Sequence, residues 1–319
     1  MPTIHLRPID VDRDFGQLAA LFSLVQDDPT SEADLKKDYA DHRERIFCLN
    51  AAVDDDGELL GFNWATHDRS DPTRAVFYVI VWPERRGQGA GGRLYADVEQ
   101  AARTAGIRKL EVSVRDTCPE SRAFVERRGF SEHNHSIGMQ LNLDAFDDQP
   151  YDALISSLKD EGFEFTSMAL LGNDEDSQRR LYRLNDTAAA ETMGSDGTHP
   201  WSSFEDFERR VCETDWYNPA GQMVVIDSAT GAWAAMSAIT RFAGRDYAYN
   251  LFTGVDARYR GRKLGQAVKV VALRYARDVL GAHSVRTHHL TTNEPILAID
   301  NKFGYTLLPG EFVLMKELP

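Results

Sequence analysis

At 319 residues and 42% hydrophobic content, the chain is long enough for two domains of ordinary size, each with a full core. Its 36 Lys+Arg against 50 Asp+Glu leave a net charge of −14, and both halves are acidic, with 18 Lys+Arg against 27 Asp+Glu through Pro150 and 18 against 23 after it. That balance argues against nucleic acid as a partner, since phosphate binding needs cations.

Cys48, Cys118 and Cys212 are an odd, scattered set without CxxC spacing, which disfavours a disulfide framework and fits a reducing compartment. Met1-Pro-Thr-Ile-His-Leu-Arg runs straight into a strand-like pattern rather than a secretory leader. No apolar run reaches membrane-span length. A cytoplasmic protein that contacts no membrane is therefore expected.

In chain order, Thr3 to Arg7 alternates as a first strand, and Asp10 to Gln26 carries Phe15, Leu18, Leu21, Phe22 and Val25 at helical spacing. Pro29-Thr30-Ser31 breaks that helix, and Ser31 with Asp34 caps a second one through about His42. Ile46 to Val53 and Leu59 to Thr66 read as an antiparallel pair turned at Asp54–Gly57. Phe77 to Trp82 is a buried strand. After it comes Arg86-Gly87-Gln88-Gly89-Ala90-Gly91-Gly92, then Leu94, Val98, Ala101, Ala102 and Ala105 at helical spacing, stopped by Gly106. Leu110, Val112 and Val114 alternate in a further strand. A helix starts at Cys118-Pro119, and Ser136 to Leu143 reads as the last strand of this half.

Strand, glycine-rich turn and helix in that order place several backbone N–H groups at a helix N-terminus with no side chains in the way. Such a turn suits a pyrophosphate. Gly87-x-Gly89-x-x-Gly92 formally matches a dinucleotide fingerprint, but roughly eighty residues precede it, whereas a dinucleotide domain usually opens with its glycine turn. Gly-x-x-x-x-Gly-Lys is absent from the chain, so a Walker-type loop has no support.

The polar stretch Asp144 to Pro150 reads as a boundary, giving domains over 1–149 and 150–319, with Tyr151 to Lys159 as a linking helix. The second half then repeats the first. Phe163 to Leu171 is strand-like, and Asp176–Glu191 and Ser203–Glu213 read as helices. Met223–Asp227 and Ala232–Arg241 form a hairpin, and Tyr247–Val255 corresponds to the central strand. Arg260-Gly261-Arg262-Lys263-Leu264-Gly265 opens a helix stopped by Gly281. Val285–Leu290 is a strand, and Asn293 to Gly304-Tyr305 a closing helix. Val81 to Val255 and Arg86 to Arg260 are both offset by 174, and Gly129 to Gly304 by 175, which indicates duplication.

The turn resembles the acyl-CoA-binding motif of the GNAT N-acetyltransferase superfamily, (Gln/Arg)-x-x-Gly-x-(Gly/Ala), at every position of Arg86 to Gly91. The run from Ser121 to Gly129-Phe130 resembles that family's closing helix. The resemblance implies two tandem α/β modules of the α+β kind, each a mixed, mostly antiparallel, splayed sheet flanked by helices. It implies acyl-CoA lying in the splay, its arm along Val79 to Val81 or Thr253 to Val255. The pyrophosphate would sit on Arg86, Gly87, Gln88, Gly89, Ala90 and Gly91, or on Arg260, Gly261, Arg262, Lys263, Leu264 and Gly265. No metal is implied: His288 and His289 are strand neighbours that point to opposite faces, and His133 and His135 share a face but lack a third ligand.

The implied reaction is direct acetyl transfer from acetyl-CoA to a small-molecule amine. Acetylation of a protein N-terminus or lysine, and a non-catalytic CoA-binding regulator or scaffold, are the alternatives. An amine must shed its proton to react, since a free alkylammonium has a pKa near about 10. Tyr78, His67 and Asp68 are the candidate bases in the first module, and Tyr249 and His288 in the second. A backbone N–H near Val79 is the candidate oxyanion donor. The family's usual acid, a Tyr four residues before the Gly of Gly-Phe, is Val125 in the first module and Asp300 in the second, and Asp300 would serve only with a strongly raised pKa. Lys263 stands where the motif wants Gly89. It suits a helical backbone, whereas a required φ > 0 would disable the second site. Arg122, Arg127 and Arg128 are a solvated helix face or contacts for the 3′-phosphate. Trp201, Trp216 and Tyr217 are core residues rather than a substrate pocket.

Overall fold

A computed structural model describes residues 3–319 except 27, 70, 193–196 and 198. The opening Met1-Pro2 of the leader reading lies outside the described residues. The elements run β1 (His5–Pro8), α1 (Val11–Ser23), α2 (Glu32–His42), β2 (Ile46–Val53), β3 (Leu59–His67), β4 (Arg74–Val81), α3 (Ala90–Thr104), β5 (Lys109–Arg115), α4 (Pro119–Glu126) and β6 (Ser131–Asn142). Then come α5 (Asp152–Asp160), β7 (Phe163–Ser167), α6 (Glu175–Ala190), α7 (Phe204–Phe207), β8 (Gln222–Asp227), β9 (Ala232–Thr240), β10 (Ala248–Val255), α8 (Leu264–Asp278), β11 (Ser284–Leu290), α9 (Glu294–Phe303) and β12 (Thr306–Glu317).

The chain divides into two compact units, but not at Asp144–Pro150. Unit 1 is Met1–His135 together with Glu311–Pro319, and unit 2 is Ser136–Gly310. In unit 1, β1, β2, β3 and β4 pair antiparallel in succession, β5 joins β4 in parallel, and β12 closes on β5 from Glu311↔Arg115 to Glu317↔Lys109. In unit 2, β7, β8, β9 and β10 follow antiparallel, β11 joins β10 in parallel, and β6 pairs with β11 from Ser136↔Leu290 to Asn142↔Ser284. Each sheet is thus mixed and mostly antiparallel. Each unit takes its last strand from the other half of the sequence. β12 was not foreseen, and nothing in the alternation of β6 names its partner, because any strand with one apolar face satisfies either edge.

The local readings follow from ordinary causes. Asp10 accepts from the amides of Asp12 and Arg13 to start α1, and Ser31 with Asp34 forms a capping box on α2. α1 buries Phe15, Leu18, Leu21 and Phe22 against Phe62 and Trp64 on one face of the unit 1 sheet. α3 buries Tyr95, Val98 and Ala102 on the other face with Phe77, Val112, Val114, Val125, Phe130 and Leu314. In unit 2, α8 buries Ala267, Val268, Ala272 and Ala276 against β9, β10 and β11. Two elements are shorter than their hydrophobic runs. β7 stops at Ser167 and turns, and the helix begun at Phe204 loosens into a wider turn over Glu208–Cys212. Trp201, Trp216 and Tyr217 pack around the Met168–Phe207 core of unit 2.

Candidate active site

Both parallel pairs come apart. β4 and β5 are paired only over Arg74–Val76 and Lys109–Glu111, although β4 continues to Val81 and β5 to Arg115. β10 and β11 are paired only at Ala248–Tyr249 and Val285–Arg286, and then run on to Val255 and Leu290. A gap therefore opens in each unit's sheet toward the glycine-rich turn.

Strand parity settles which backbone groups face the first gap. The Thr73 carbonyl accepts from Arg108 and Lys109 on the β5 side, the Arg74 carbonyl accepts from Asp68 on the β3 side, and the Trp82 amide donates to Leu60 of β3. Alternation then turns the N–H and C=O of Phe77, Val79 and Val81 toward the gap. In unit 2 the Asp256 amide donates to Ala234 of β9, and the same parity turns Thr253 and Val255 toward the gap. The resemblance implied Val79 to Val81 and Thr253 to Val255 for the acyl-CoA arm.

At the mouth of the first gap, Gly87 (φ +75°) and Gly89 (φ +101°) bend the chain, and Gly89 is the N-cap of α3. The amides of residues 87–92 make no backbone hydrogen bond to a described residue, the first one inward being Arg93 to Gly89 at 3.1 Å. A Cβ on Gly87 would meet nothing within 4 Å. This is an open fan of donors, and it fits a pyrophosphate. The Arg86 guanidinium is held at the edge by the Val81 carbonyl, 3.2 Å from Nε, and by Glu120 at 3.6 Å. Arg128 lies over the Phe124 ring at 3.5 Å and approaches Gly92, with no carboxylate partner among the described residues. Burial holds its guanidinium below the usual arginine range. Arg122, by contrast, is engaged by Glu126 at 2.8 Å and Glu132 at 3.0 Å.

The second turn repeats this geometry. Lys263 caps α8 in the left-handed conformation (φ +64°, ψ +14°), where Gly89 stands in unit 1. The amides of residues 261–266 make no backbone hydrogen bond to a described residue, and the first inward one is Ala267 to Lys263 at 3.1 Å. The Arg260 Nε donates to Val255 at 3.3 Å as Arg86 does to Val81. So φ > 0 is adopted with a lysine in place, at a cost of roughly 1–2 kcal/mol, and the bend is not lost. The surrounding cations are more engaged: Arg260 with Glu191 at 2.6 Å, and Arg262 with Glu161 at 2.8 Å.

The three first-module candidates are not brought together. His67 lies opposite Ala75 on the face occupied by α3, with its ring 5.0 Å from Phe47. Tyr78 points to the α1 side, 5.1 Å from Phe22. Adjacent-face alternation separates them. Asp68 is taken by Arg74 at 3.0 Å, which also reaches Glu111 at 3.5 Å. Tyr78 does gain company that the sequence did not show. Glu311, on β12 opposite Arg115, lies on the same face. Burial pushes the Tyr78 hydroxyl up, with Glu311 and Asp38 adding to it, and burial likewise raises the Glu311 carboxyl. Sequence could not have found this pair, because Glu311 arrives on a strand from the far end of the chain.

In unit 2 the two candidates do meet. Tyr249 Oη is 2.6 Å from His288 Nδ1, with the rings 5.9 Å apart and stacked. Burial pushes the Tyr249 hydroxyl up to about 12. His288 is held below the usual imidazole range by burial, then by His289 and Arg286, so its neutral form is favoured. His288 lies two residues past the last position at which β11 pairs with β10, and it is exposed. A neutral imidazole hydrogen-bonded to a phenol can take a proton from an incoming amine.

Asp300 is not a lone acid. It is fully buried and accepts from Lys269 Nζ, while its other oxygen is 2.8 Å from His289 Nε2. His288 and His289 do face opposite ways, one toward Tyr249 and one toward Asp300. Among the described residues no group of three or more His, Cys, Asp or Glu could hold a metal ion, and no helix is long and apolar enough to cross a membrane.

Residues 15–130 match the model of the acetyltransferase (GNAT) family. The mycothiol acetyltransferase of Acidothermus cellulolyticus is 26% identical over 270 residues, covering 79% of this chain and 75% of that protein. A GCN5-related N-acetyltransferase from Sphaerobacter thermophilus has a similar structure at a TM-score of 0.73 and 17% identity, covering 98% of this chain and 95% of that one. A tandem GNAT protein from the clavulanic acid biosynthesis pathway gives a TM-score of 0.70 at 19% identity, covering 99% and 98%. At those identities the structural likeness shows the fold. Residues 15–130 thus match the acetyltransferase (GNAT) family, and the whole chain shares the fold of the tandem GNAT protein.

Proposed function

We propose that the protein transfers an acetyl group from acetyl-CoA to the amine of a small molecule, by direct attack while both are bound. The observation that carries this reading is the conjunction, in each unit, of a gap between parallel strands with a turn of unengaged amides at its mouth. Charge-assisted hydrogen bonds from such amides contribute roughly 1.5–3 kcal/mol each, so a few suffice for micromolar binding. The thioester carbonyl would take its hydrogen bond from a gap-facing amide such as Val79 in unit 1 or Thr253 in unit 2.

Unit 2 is the better equipped for the proton that the amine must lose. Tyr249 and His288 are already in contact at the start of its gap. The amine proton passes to the Tyr249 oxygen as the phenol proton passes to His288 Nδ1. A small-molecule acceptor agrees with the name of the mycothiol acetyltransferase relative. For unit 1 a specific observation favours a second reading, a CoA-binding unit without chemistry: Val125, which cannot donate a proton, holds the position of the family's acid.

Calorimetry with acetyl-CoA and thiol release against a panel of amines test both. The expected result is binding to the wild type, loss of the unit 1 site on Gly89→Glu, and thiol release with at least one amine. Binding without thiol release from any acceptor would leave a CoA-binding regulator. No binding at all would remove the basis of the reading.

A further inference from the structure

Below the gap of unit 2 lies a set of charges with no counterpart in unit 1. Lys269 of α8 and Asp300 of α9 are completely buried and joined, and Asp300 also holds His289 of β11 at 2.8 Å. The Lys269 Nζ sits 4.9 Å from the centre of the Tyr305 ring, whose hydroxyl is buried without a hydrogen-bond partner among the described residues. At the duplicated positions unit 1 has Tyr95, Val125, Val114 and Phe130, all within one apolar cluster. An apolar set therefore fits this framework. Buried ion pairs are often no more stable than their apolar replacements, so packing does not explain the charges.

The arrangement is that of an oriented imidazole. Lys269 gives Asp300 a partner in a place where a lone carboxylate would be too costly. One Asp300 oxygen serves Lys269, and the other fixes His289 by Nε2. That leaves Nδ1 as the reactive nitrogen, and it makes no hydrogen bond to a described residue. His289 is three residues past the last β10–β11 pair, on the stretch of β11 that borders the gap. It projects on the α8 and α9 side, opposite to His288 and Tyr249.

We propose that His289, positioned by Asp300 and Lys269, is the residue that protonates the departing sulfur in unit 2. The inference rests on the acetyl-transfer reading above. As the amine nitrogen bonds to the carbonyl carbon, the carbon–sulfur bond breaks and its electron pair goes to sulfur. Sulfur takes the Nδ1 proton of the His289 imidazolium, leaving a neutral ring. The proton lost by nitrogen leaves through Tyr249 and His288, and both histidines exchange with water between turnovers. Asp300 is a positioning residue, since it acts through the ring.

The test uses the full chain carrying Gly89→Glu, so that only the turn of unit 2 is clear. Calorimetry reads CoA binding, and ultraviolet thiolate absorbance reads the ionisation of the bound thiol. With His289 present, an imidazolium beside the sulfur should lower the thiol pKa by about 1–3 units. His289→Gln should keep CoA affinity, abolish that shift, and lower kcat about 10²–10⁴-fold with little change in KM for the amine. Asp300→Asn endangers folding, so Lys269→Tyr with Asp300→Val, the unit 1 pair, is the second variant, expected to fold and to lose the thiol shift. An unchanged thiol titration and kcat in His289→Gln would overturn the proposal while leaving the acetyl-transfer reading intact. Failure of CoA to bind the Gly89→Glu protein would overturn the proposal together with that reading for unit 2.

Discussion

The two units build one framework and fill it differently. Each has a parallel pair that parts after two or three residues, and a turn with a left-handed cap. Behind the first gap lie Tyr95 of α3, Val125 of α4 and, after α4, Phe130, with Arg128 near the turn. Behind the second lie Lys269 of α8, Asp300 of α9 and, after α9, Tyr305, and His289 joins them from the strand. The unit with the fuller glycine motif has an apolar floor. The unit with the damaged motif has groups able to move protons on both faces of its gap. A motif reports where an anion is held, because amides and backbone angles do that work locally. It does not report where chemistry occurs, because that depends on side chains brought in from several elements.

Removing the last strand breaks the symmetry most strongly. Deleting Glu311–Pro319 takes Phe312, Leu314 and Leu318 from the unit 1 core but leaves β6 on β11. At roughly 1.5–3 kcal/mol for each buried side chain, unit 1 should lose cooperative unfolding in denaturant while unit 2 keeps a transition. A single unchanged transition would contradict the strand assignment.

A single Asp300→Val change should cost about 3–5 kcal/mol, because it strands the buried Lys269 ammonium. Adding Lys269→Tyr should bring denaturant stability back to that of the wild type or above it. A double variant as unstable as the single would mean that the unit 1 solution does not fit unit 2.

Tyr249→Phe should lower kcat about 10²-fold by removing the link from amine to His288. Tyr78→Phe should lower it much less. The reverse ranking in thiol-release assays would make unit 1 the working unit, with Glu311 beside Tyr78 as its base.

The smallest effects concern the caps. Lys263→Gly relieves a left-handed lysine and should add about 0.5–1 kcal/mol, whereas Gly89→Ala imposes the strain and should remove about 1–2 kcal/mol. Thermal unfolding of the two variants should move in opposite directions. A shift of the same sign in both would show that the turns are not equivalent.

Sequence alone determined the duplication, the succession of elements up to β12, the turn residues 86–91 and 260–265, and the family resemblance. These are local properties: a glycine turn announces its backbone angles, and a period of 2 or 3.6 announces an element. The proximity of Tyr249 and His288 was not written in their spacing, although both stood among the candidates, Tyr249 on the central strand and His288 on the strand after α8. Only the tertiary structure decided that β6 and β12 change places, that Glu311 lies near Tyr78, and that Asp300 is shared by Lys269 and His289. The reason is physical. Strand edges accept any partner of suitable alternation, and a buried carboxylate is defined by the charges packed around it, which in this chain come from residues 11 and 31 positions away.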